Sequence, residues 1–506
     1  MHIKKNIIKE NDIILKIALI IVSICFAVPS ILFFIRNKTI YNFNGDLEYC
    51  FLLTRDINRL YQAGVFCIFV TIYLLIYFLL IKNRDKIFKN TKQVYMFVFI
   101  ISVIFLVALP FWCSDIFYYL GIGRLNSTYH QNPYYVTMKD FYESNLANQN
   151  DTVILKGYNN YWSNTTVVYG ALWTFICSIV SFLSFGNIDI GVLVFKIINL
   201  GIHIANCCLL FKLTKNKLFP LLYGLNPFIL IEGISNVHND MFVLFFILMA
   251  LYFLVENKKT ISSVLFLAMA TCIKYIAILF LPLFIIYNYR DKCVKTRFFK
   301  CLEYGILFIV FCSIPYLLYT KDINVFIGLI TQQDKIAKGL YLFINEYFNN
   351  PKNIVQIVKN ISLLVFSTLY ICMCISLLFK KEIVLKKEMN KLFWFLVAFI
   401  FLLITNFQPW YLIWLTVFIS YVEKENIKLI IQMQNMTLMA NIVFLIYSEN
   451  YKYGVPFFFI LIAGILTCII LNKNEIIKKY RKMTNKGTAT SSTIGQKGEI
   501  PWKDYF

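Results

Sequence analysis

The chain has 506 residues, of which 59% are hydrophobic and only 15% are charged, and its formal net charge is +22. A soluble globular protein has about 45–50% apolar and about 25% charged residues, so this chain has too few polar groups to cover a water-exposed surface. Disorder, a collagen-like fibre and a disulfide scaffold are excluded by the same composition. The composition therefore predicts a polytopic membrane protein.

The basic residues occur in short clusters between apolar runs, as in residues 82–92 (KNRDKIFKNTK). Clusters of this kind are typical of cytoplasmic loops that fix the orientation of a membrane protein, so nucleic acid is not an expected partner. Lys4, Lys5 and Lys9 precede an apolar run over 13–35 that is too long for a signal-peptide core. This run is interpreted as a retained first membrane helix with a cytoplasmic N-terminus.

A membrane-spanning helix needs about 20 largely apolar residues. The run over 168–185 is interpreted as an outer juxtamembrane helix, because counting it as a span would place the basic residues 212–217 outside. We expect an all-α, polytopic membrane protein with about 13–14 transmembrane helices. The predicted spans, with a hairpin of two short helices over 262–287, are 13–35, 61–81, 94–112, 189–211, 218–235, 240–255, 262–287, 302–319, 354–379, 392–405, 410–422, 427–447 and 455–471.

The domain organisation follows from these spans. Residues 1–472 form one transmembrane domain, in which residues 113–187 are an outer loop that carries juxtamembrane helices. Residues 473–506 are basic and then low in hydrophobicity, so they cannot bury enough apolar area to fold alone and are predicted to be a disordered cytoplasmic tail.

The most informative polar residue is Asp115, which directly follows the third predicted span. In a helix Asp115, Tyr118 and Tyr119 share one face, with Arg124 off its flank. A carboxylate ringed by aromatic side chains can act as a general base toward a sugar. The alternative is that Ser114 or Asp115 only caps an interfacial helix.

Three further polar groups occur where predicted spans reach the outer face. His238 and Asp240 lie in a turn between two spans, and ionisable groups at membrane level usually mark substrate or proton pathways. Lys274 is the lone charge at the tip of the predicted hairpin. The alternatives are a helix cap for Asp240, a snorkelling lysine, and ordinary interface anchors for the aromatic residues of 406–411.

These pieces, in this order, resemble the GT-C superfamily of glycosyltransferases, and more narrowly the bacterial polyprenol-phosphate-mannose-dependent mannosyltransferase-like proteins. The resemblance spans roughly residues 100–415, and the sequence departs from the family pattern Y-G-P-L by having Ala171 in place of proline. The matching residues are Ser114-Asp115, Tyr119, Gly123-Arg124, Asn132-Pro133-Tyr134, Tyr169-Gly170-Ala171-Leu172, Leu225-Asn226-Pro227, His238-Asn239-Asp240, Lys274 and Pro409-Trp410-Tyr411.

The resemblance implies a GT-C-like fold and an enzyme that moves a hexose, most simply mannose, from a polyprenyl-phosphate donor to an envelope glycan or glycolipid. Asp115 would be the catalytic general base on the outer face of the bacterial plasma membrane, with both termini cytoplasmic. The predicted substrate-binding residues are Tyr119, Arg124, Asn132, Tyr134, His238, Asn239, Asp240, Lys274, Gln408, Trp410 and Tyr411.

The expected mechanism is direct displacement with inversion, in which Lys274, Arg124 or a protonated His238 stabilises the leaving phosphate. Retention through Asp240 as a nucleophile stays open. No cofactor and no divalent metal are expected, and Asp46 with Glu48 is a weak metal candidate. A transporter or flippase, and an O-antigen-type ligase or polymerase acting on lipid-linked sugars, remain the alternative functions.

Overall fold

The computed structural model describes residues 2–37, 59–110, 113–146, 148, 150–332, 336, 339–348, 351–441, 461–464 and 466. These residues form helices joined by short connections, and they contain no β-strand. The predicted tail, most of the last predicted span, and Asp46 with Glu48 lie outside the described residues.

The α-helices are numbered here in chain order. In the first half of the chain they are α1 His2–Asn37, α2 Arg59–Lys82, α3 Arg84–Ile87, α4 Thr91–Val107, α5 Asp115–Ser127, α6 Met138–Glu143, α7 Thr152–Tyr158, α8 Ala171–Leu183, α9 Ile188–Thr214, α10 Leu218–Gly224, α11 Pro227–Ile229 and α12 Asp240–Val255. The later ones are α13 Thr260–Thr271, α14 Leu281–Asn288, α15 Val294–Tyr316, α16 Ile327–Gln332, α17 Leu340–Tyr347, α18 Pro351–Phe379, α19 Leu385–Leu402 and α20 Lys424–Ala440. Three segments are 3₁₀-helical, Tyr275–Phe280, Ile323–Phe326 and Pro409–Ser420, and Leu230–Ser235 is a π-helix.

Within the described residues, five helices are long and apolar enough to cross a membrane, or six if the bent pair Leu218–Gly224 and Pro227–Ser235 is one span. The prediction of an all-α polytopic membrane protein is therefore confirmed. The number of such helices is smaller than the 13–14 expected, because several predicted spans are apolar helices of only 10–17 residues. These shorter helices end at breaks that hydropathy does not reveal.

One such break ends α4 at Val107, five residues before the predicted end of its span. The buried Lys196 of α9 donates from Nζ to the carbonyl oxygens of Leu106 and Ala108. A lysine at this place satisfies carbonyls that the ending helix leaves without partners. It thereby fixes the direction in which the chain leaves α4 toward Asp115.

The predicted juxtamembrane helix corresponds to α8, Ala171–Leu183, which has 13 residues. At 1.5 Å per residue it is about 20 Å long, which is too short to cross a hydrocarbon core of about 30 Å. It packs closely on α5, because a Cβ at Gly123 would lie 2.1 Å from the carbonyl oxygen of Cys177. Gly123 is therefore a packing residue between the two helices.

The Gly170 that precedes α8 has a similar packing role against the predicted hairpin. Its amide donates to the carbonyl of Ile273 over 3.1 Å, and a Cβ there would lie 2.3 Å from the Cys272 carbonyl oxygen. The hairpin consists of α13, a break at Lys274, the 3₁₀-helix Tyr275–Phe280 and α14. Gly170 thus brings the end of the 113–187 segment against the break that carries Lys274.

Candidate active site

A cavity of about 300 Å³ lies where α5, the hairpin break and the 3₁₀-helix Pro409–Ser420 meet. This volume is at the lower end of the range for small-molecule sites, which is about 300–1,000 Å³. One part of its wall is polar and aromatic, and another part is aliphatic. The lining residues are Asp115, Trp162, Val168, Tyr169, Lys274, Tyr275, Ile276, Ile278, Leu279, Leu329, Gln332, Phe399, Asn406, Gln408, Trp410, Tyr411 and Trp414.

Asp115 is the first residue of α5 and is only 6% exposed. Ser114 is the N-cap residue, but its side chain makes no capping hydrogen bond. Asp115 does not cap the helix either, because its Oδ1 accepts a hydrogen bond from Trp162 Nε1 over 3.1 Å. Its carboxylate is therefore held by an indole in the cavity wall. A cap alone does not explain this arrangement.

Tyr119 packs behind Asp115 and does not line the cavity. Its ring contacts Tyr169 and Trp173 at centroid distances of 5.4 and 5.0 Å. Burial, then the neighbouring Tyr169 phenol and the Asp115 carboxylate, raises the pKa of Tyr119 well above its ordinary value. Tyr119 therefore stays a neutral phenol that supports the wall.

His238 lies in a strained turn between the π-helix Leu230–Ser235 and α12. Val237 has φ of +59°, which is unusual for a β-branched residue and marks a strained position. The fully buried imidazole of His238 stacks on Trp410, with ring centroids 3.8 Å apart. Its Nδ1 lies 3.8 Å from Asp115 Oδ2, so residues 115 and 238 meet although 123 positions separate them.

Glu232 faces the other nitrogen of His238, and sequence reasoning missed it. Glu232 Oε2 lies 3.2 Å from His238 Nε2 and accepts a hydrogen bond of 2.8 Å from Asn236, while Oε1 accepts from Asn441 over 3.2 Å. The carboxylate is fully buried within the π-helix. An acidic residue within an apolar run was the available signal, since intramembrane ionisable groups are usually functional.

Lys274 and Asp240 form a second buried pair. Lys274 Nζ donates to both carboxylate oxygens of Asp240 over 2.7 and 2.8 Å, and Trp414 Nε1 donates to Oδ1 over 2.6 Å. The ammonium also lies 4.8 Å from the ring centre of Tyr411, an attractive cation–π distance. Lys274 is thus held at the cavity wall by a carboxylate and two aromatic rings, whereas an unconstrained snorkelling lysine would have no such partners.

The 3₁₀-helix Pro409–Ser420 and the residues before it supply the remaining predicted wall. Trp410 and Tyr411 both line the cavity, and Tyr411 stacks on Trp414 with ring centroids 4.6 Å apart. Gln408 donates to Asn406 Oδ1 over 2.7 Å, and both side chains line the cavity. Five of the twelve predicted site residues therefore line it: Asp115, Lys274, Gln408, Trp410 and Tyr411.

Three predicted substrate-binding residues point to other neighbours. Arg124 pairs with the buried Asp151 over 2.8 Å. Asn132 donates to the Tyr319 carbonyl over 2.6 Å, and the Tyr134 hydroxyl donates to the Tyr169 carbonyl over 2.9 Å. These contacts organise the 113–187 segment around the cavity and leave none of the three in its wall.

Asn239 also lies outside the cavity wall. It is fully buried beside His238, and its amide makes no hydrogen bond within the described residues. Its position is the N-cap of α12, but its side chain does not cap the helix. The structure places it in the turn that carries His238 and gives it no contact with the cavity.

The described residues contain one group of metal-ligating side chains in suitable proximity. The Cys113 thiol, the Asp115 carboxylate and the His238 imidazole offer ligand atoms that all lie within 4.8 Å of one another. All three residues are buried. The sequence alone does not show that these three side chains lie close together. The expectation that no metal is needed was made without that information.

Residues 49–290 match the family model described as the alpha-(1->6)-mannopyranosyltransferase N-terminal domain of the MptA_B family. No curated protein matches, and no solved structure matches. The matched range is slightly less than half of the chain and includes Asp115, Glu232, His238, Asp240 and Lys274, but not the 3₁₀-helix Pro409–Ser420. With its all-helical architecture and several apolar helices, the chain is a multi-pass membrane protein similar to GT-C mannosyltransferases, and its enzyme class is glycosyltransferase.

Proposed function

We propose that the protein transfers mannose from a polyprenyl-phosphate donor to an envelope glycan or glycolipid at the outer face of the bacterial plasma membrane. The observation that carries the proposal is the shared cavity, which has a buried carboxylate, a fixed ammonium and an aliphatic wall. The basic loops support cytoplasmic termini and an outer location for this cavity.

Lys274 is the proposed contact of the donor phosphate. When the sugar leaves, negative charge develops on the lipid phosphate, and a fixed cation in a low-dielectric site stabilises that charge. Lys274 is already held by Asp240, so it needs little reorganisation. The next residues along the chain, Ile276, Ile278 and Leu279, form part of the aliphatic wall, which suits the first isoprene units of the donor.

Asp115 is the proposed general base. It would take the proton of the acceptor hydroxyl while that oxygen bonds to the anomeric carbon and the bond from this carbon to the phosphate oxygen breaks. The polyprenyl phosphate leaves with the electron pair. Asp240 does not suit a nucleophile, because Lys274 and Trp414 occupy its oxygens. A single available carboxylate favours inversion.

The test uses the purified full chain in proteoliposomes, with radiolabelled mannosyl polyprenyl phosphate as donor and octyl α-mannoside as acceptor probe. Asp115→Asn should lower transfer by about 10²–10⁴-fold, the usual contribution of general-base assistance. Asp140→Asn is the matched control, since Asp140 is an exposed acid of the same segment, and it should retain activity. NMR of the product would report the anomeric configuration.

Two results would overturn the proposal. Equal transfer by wild-type protein and Asp115→Asn would remove the role of Asp115 as base. Movement of the labelled lipid across the bilayer without any mannosylated product would favour the flippase alternative.

A further inference from the structure

The group formed by Cys113, Asp115 and His238 has a geometry that a hydrogen-bonded cluster does not explain. The 3.8 Å between Asp115 Oδ2 and His238 Nδ1 is too long for a hydrogen bond, whose donor–acceptor distance is about 2.7–3.2 Å. In a tetrahedral site two ligand atoms that each lie about 2.0–2.2 Å from a zinc ion are about 3.3–3.6 Å apart, and an angle somewhat wider than tetrahedral extends this to the observed distance. The separation therefore fits two ligand atoms that share an ion.

His238 is the second observation that points to a ligand. Its side chain is 0% exposed, and neither ring nitrogen makes a hydrogen bond of good geometry within the described residues. A buried polar group without a partner destabilises the folded state. Since Nδ1 faces Asp115 and Cys113, an ion bound between these side chains would satisfy it.

The surrounding contacts resemble the outer shell of a metal site. Metal-binding histidines usually present their second nitrogen to a carboxylate or carbonyl, which fixes the tautomer and the ring orientation. Here Glu232 Oε2 lies 3.2 Å from His238 Nε2, and Trp162 Nε1 holds the Asp115 oxygen that faces away from His238. Both outer contacts would leave Nδ1 and Oδ2 as the ligand atoms.

The charge balance favours a cation at the same place. No lysine or arginine of the described part of the chain forms an ion pair with Asp115, and Lys274 is already paired with Asp240. The carboxylates of Asp115 and Glu232 thus lie on two sides of a buried imidazole. A buried negative charge is costly unless a cation or a metal compensates it.

We infer that Cys113, Asp115 and His238 bind a single zinc ion. A thiolate, an imidazole and a carboxylate form a ligand set that zinc accepts, and catalytic zinc sites have three protein ligands and one open position. Because Asp115 also lines the cavity, the open position would be next to the acceptor. With zinc bound, the ion and Trp162 would engage both Asp115 oxygens, so Asp115 would be a ligand and not the free general base of the proposed function. The zinc measurement does not depend on that function.

The experiment measures zinc in the full-length protein purified in detergent without chelators, by inductively coupled plasma mass spectrometry. Wild-type protein should contain about one zinc per chain, and Cys113→Ser and His238→Gln should each lower that content at least fivefold. Cys207→Ser is the matched control, because Cys207 is also buried but belongs to α9, and it should keep its zinc. Cobalt(II) substitution should give thiolate charge-transfer absorption in wild-type protein and not in Cys113→Ser.

Wild-type protein that neither contains zinc nor takes it up in the presence of added zinc would overturn the inference. Zinc that persists in both Cys113→Ser and His238→Gln would overturn it as well. These readouts need no substrate, so a failed transfer assay and a failed zinc measurement are separate results.

Discussion

The helices around the cavity differ sharply from α15 and α18. Of the residues in the most apolar stretch of each helix, only 6% are buried in α15 and 11% in α18. Each is one continuous helix, of 23 and 29 residues respectively. Around the cavity the chain changes to π-helix, to 3₁₀-helix and to extended turns within a few residues. In a bilayer, irregular backbone is tolerated only where protein covers it. The reactive side chains therefore occur where surrounding helices shield the breaks.

The largest expected effect in this comparison is that of Lys274→Met. The substitution leaves the fully buried Asp240 carboxylate without its cation, and breaking a buried ion pair costs about 3–5 kcal/mol. We expect the free energy of unfolding to fall by about this amount in SDS titrations of the protein in mixed micelles. Transfer should also be lost, because the proposed phosphate contact is removed.

The double variant Lys274→Met, Asp240→Asn separates the two effects of that change. Removing the second charge should restore most of the stability but none of the transfer. A double variant that is no more stable than Lys274→Met would contradict the ion-pair explanation.

A smaller effect is expected from adding a methyl group at Gly170. Because its Cβ would lie 2.3 Å from the Cys272 carbonyl oxygen, Gly170→Ala must move the hairpin backbone, and overpacking typically costs about 1–3 kcal/mol. Gly305→Ala in α15 is the matched control, since nothing lies within 4 Å of its Cβ position. That variant should be neutral or more stable by up to about 1 kcal/mol. The same SDS titration measures both variants, and equal destabilisation would contradict the expected difference between Gly170 and Gly305.

The smallest effect is expected on the exposed face of α15. Ile309 is 67% exposed, and substitutions on such surfaces usually change stability by less than about 0.5 kcal/mol. Ile309→Ala should therefore leave both the unfolding midpoint and the transfer rate close to wild type. A loss above about 1 kcal/mol would show that α15 packs against protein at this position.

The sequence predicted the part of the site that depends on breaks between apolar runs. Asp115, His238 and Asp240 stand at the ends of such runs, and Lys274 stands at the predicted tip of the hairpin over 262–287. Helix ends at one level of a bundle can meet. The structure brings these four together around Trp410 and Trp414. The face of the membrane on which they lie stays a prediction.

Contacts between distant segments could not be predicted in this way. Glu232 lies inside an apolar run, and its partner Asn441 is 209 residues away. Arg124 belongs to a motif that suggested phosphate binding, yet it pairs with Asp151 and does not line the cavity. In the sequence Lys196 is an isolated charge within a predicted span. Its hydrogen bonds to the carbonyl oxygens at the end of α4 explain its presence there. The sequence shows that these polar residues are unusual in their surroundings, but it does not show which neighbour each one contacts.

The π-helix Leu230–Ser235 makes the position of Glu232 sensitive to chain length. Such a widened turn accommodates one residue more than a regular helix does, and one residue corresponds to about 100° of rotation around the axis. Deleting a single residue here would let the turn relax to ordinary helical pitch, while the segments before and after it would stay packed against their present neighbours. The acid would then swing away from the imidazole, so this one-residue insertion sets the angular register of the whole polar centre.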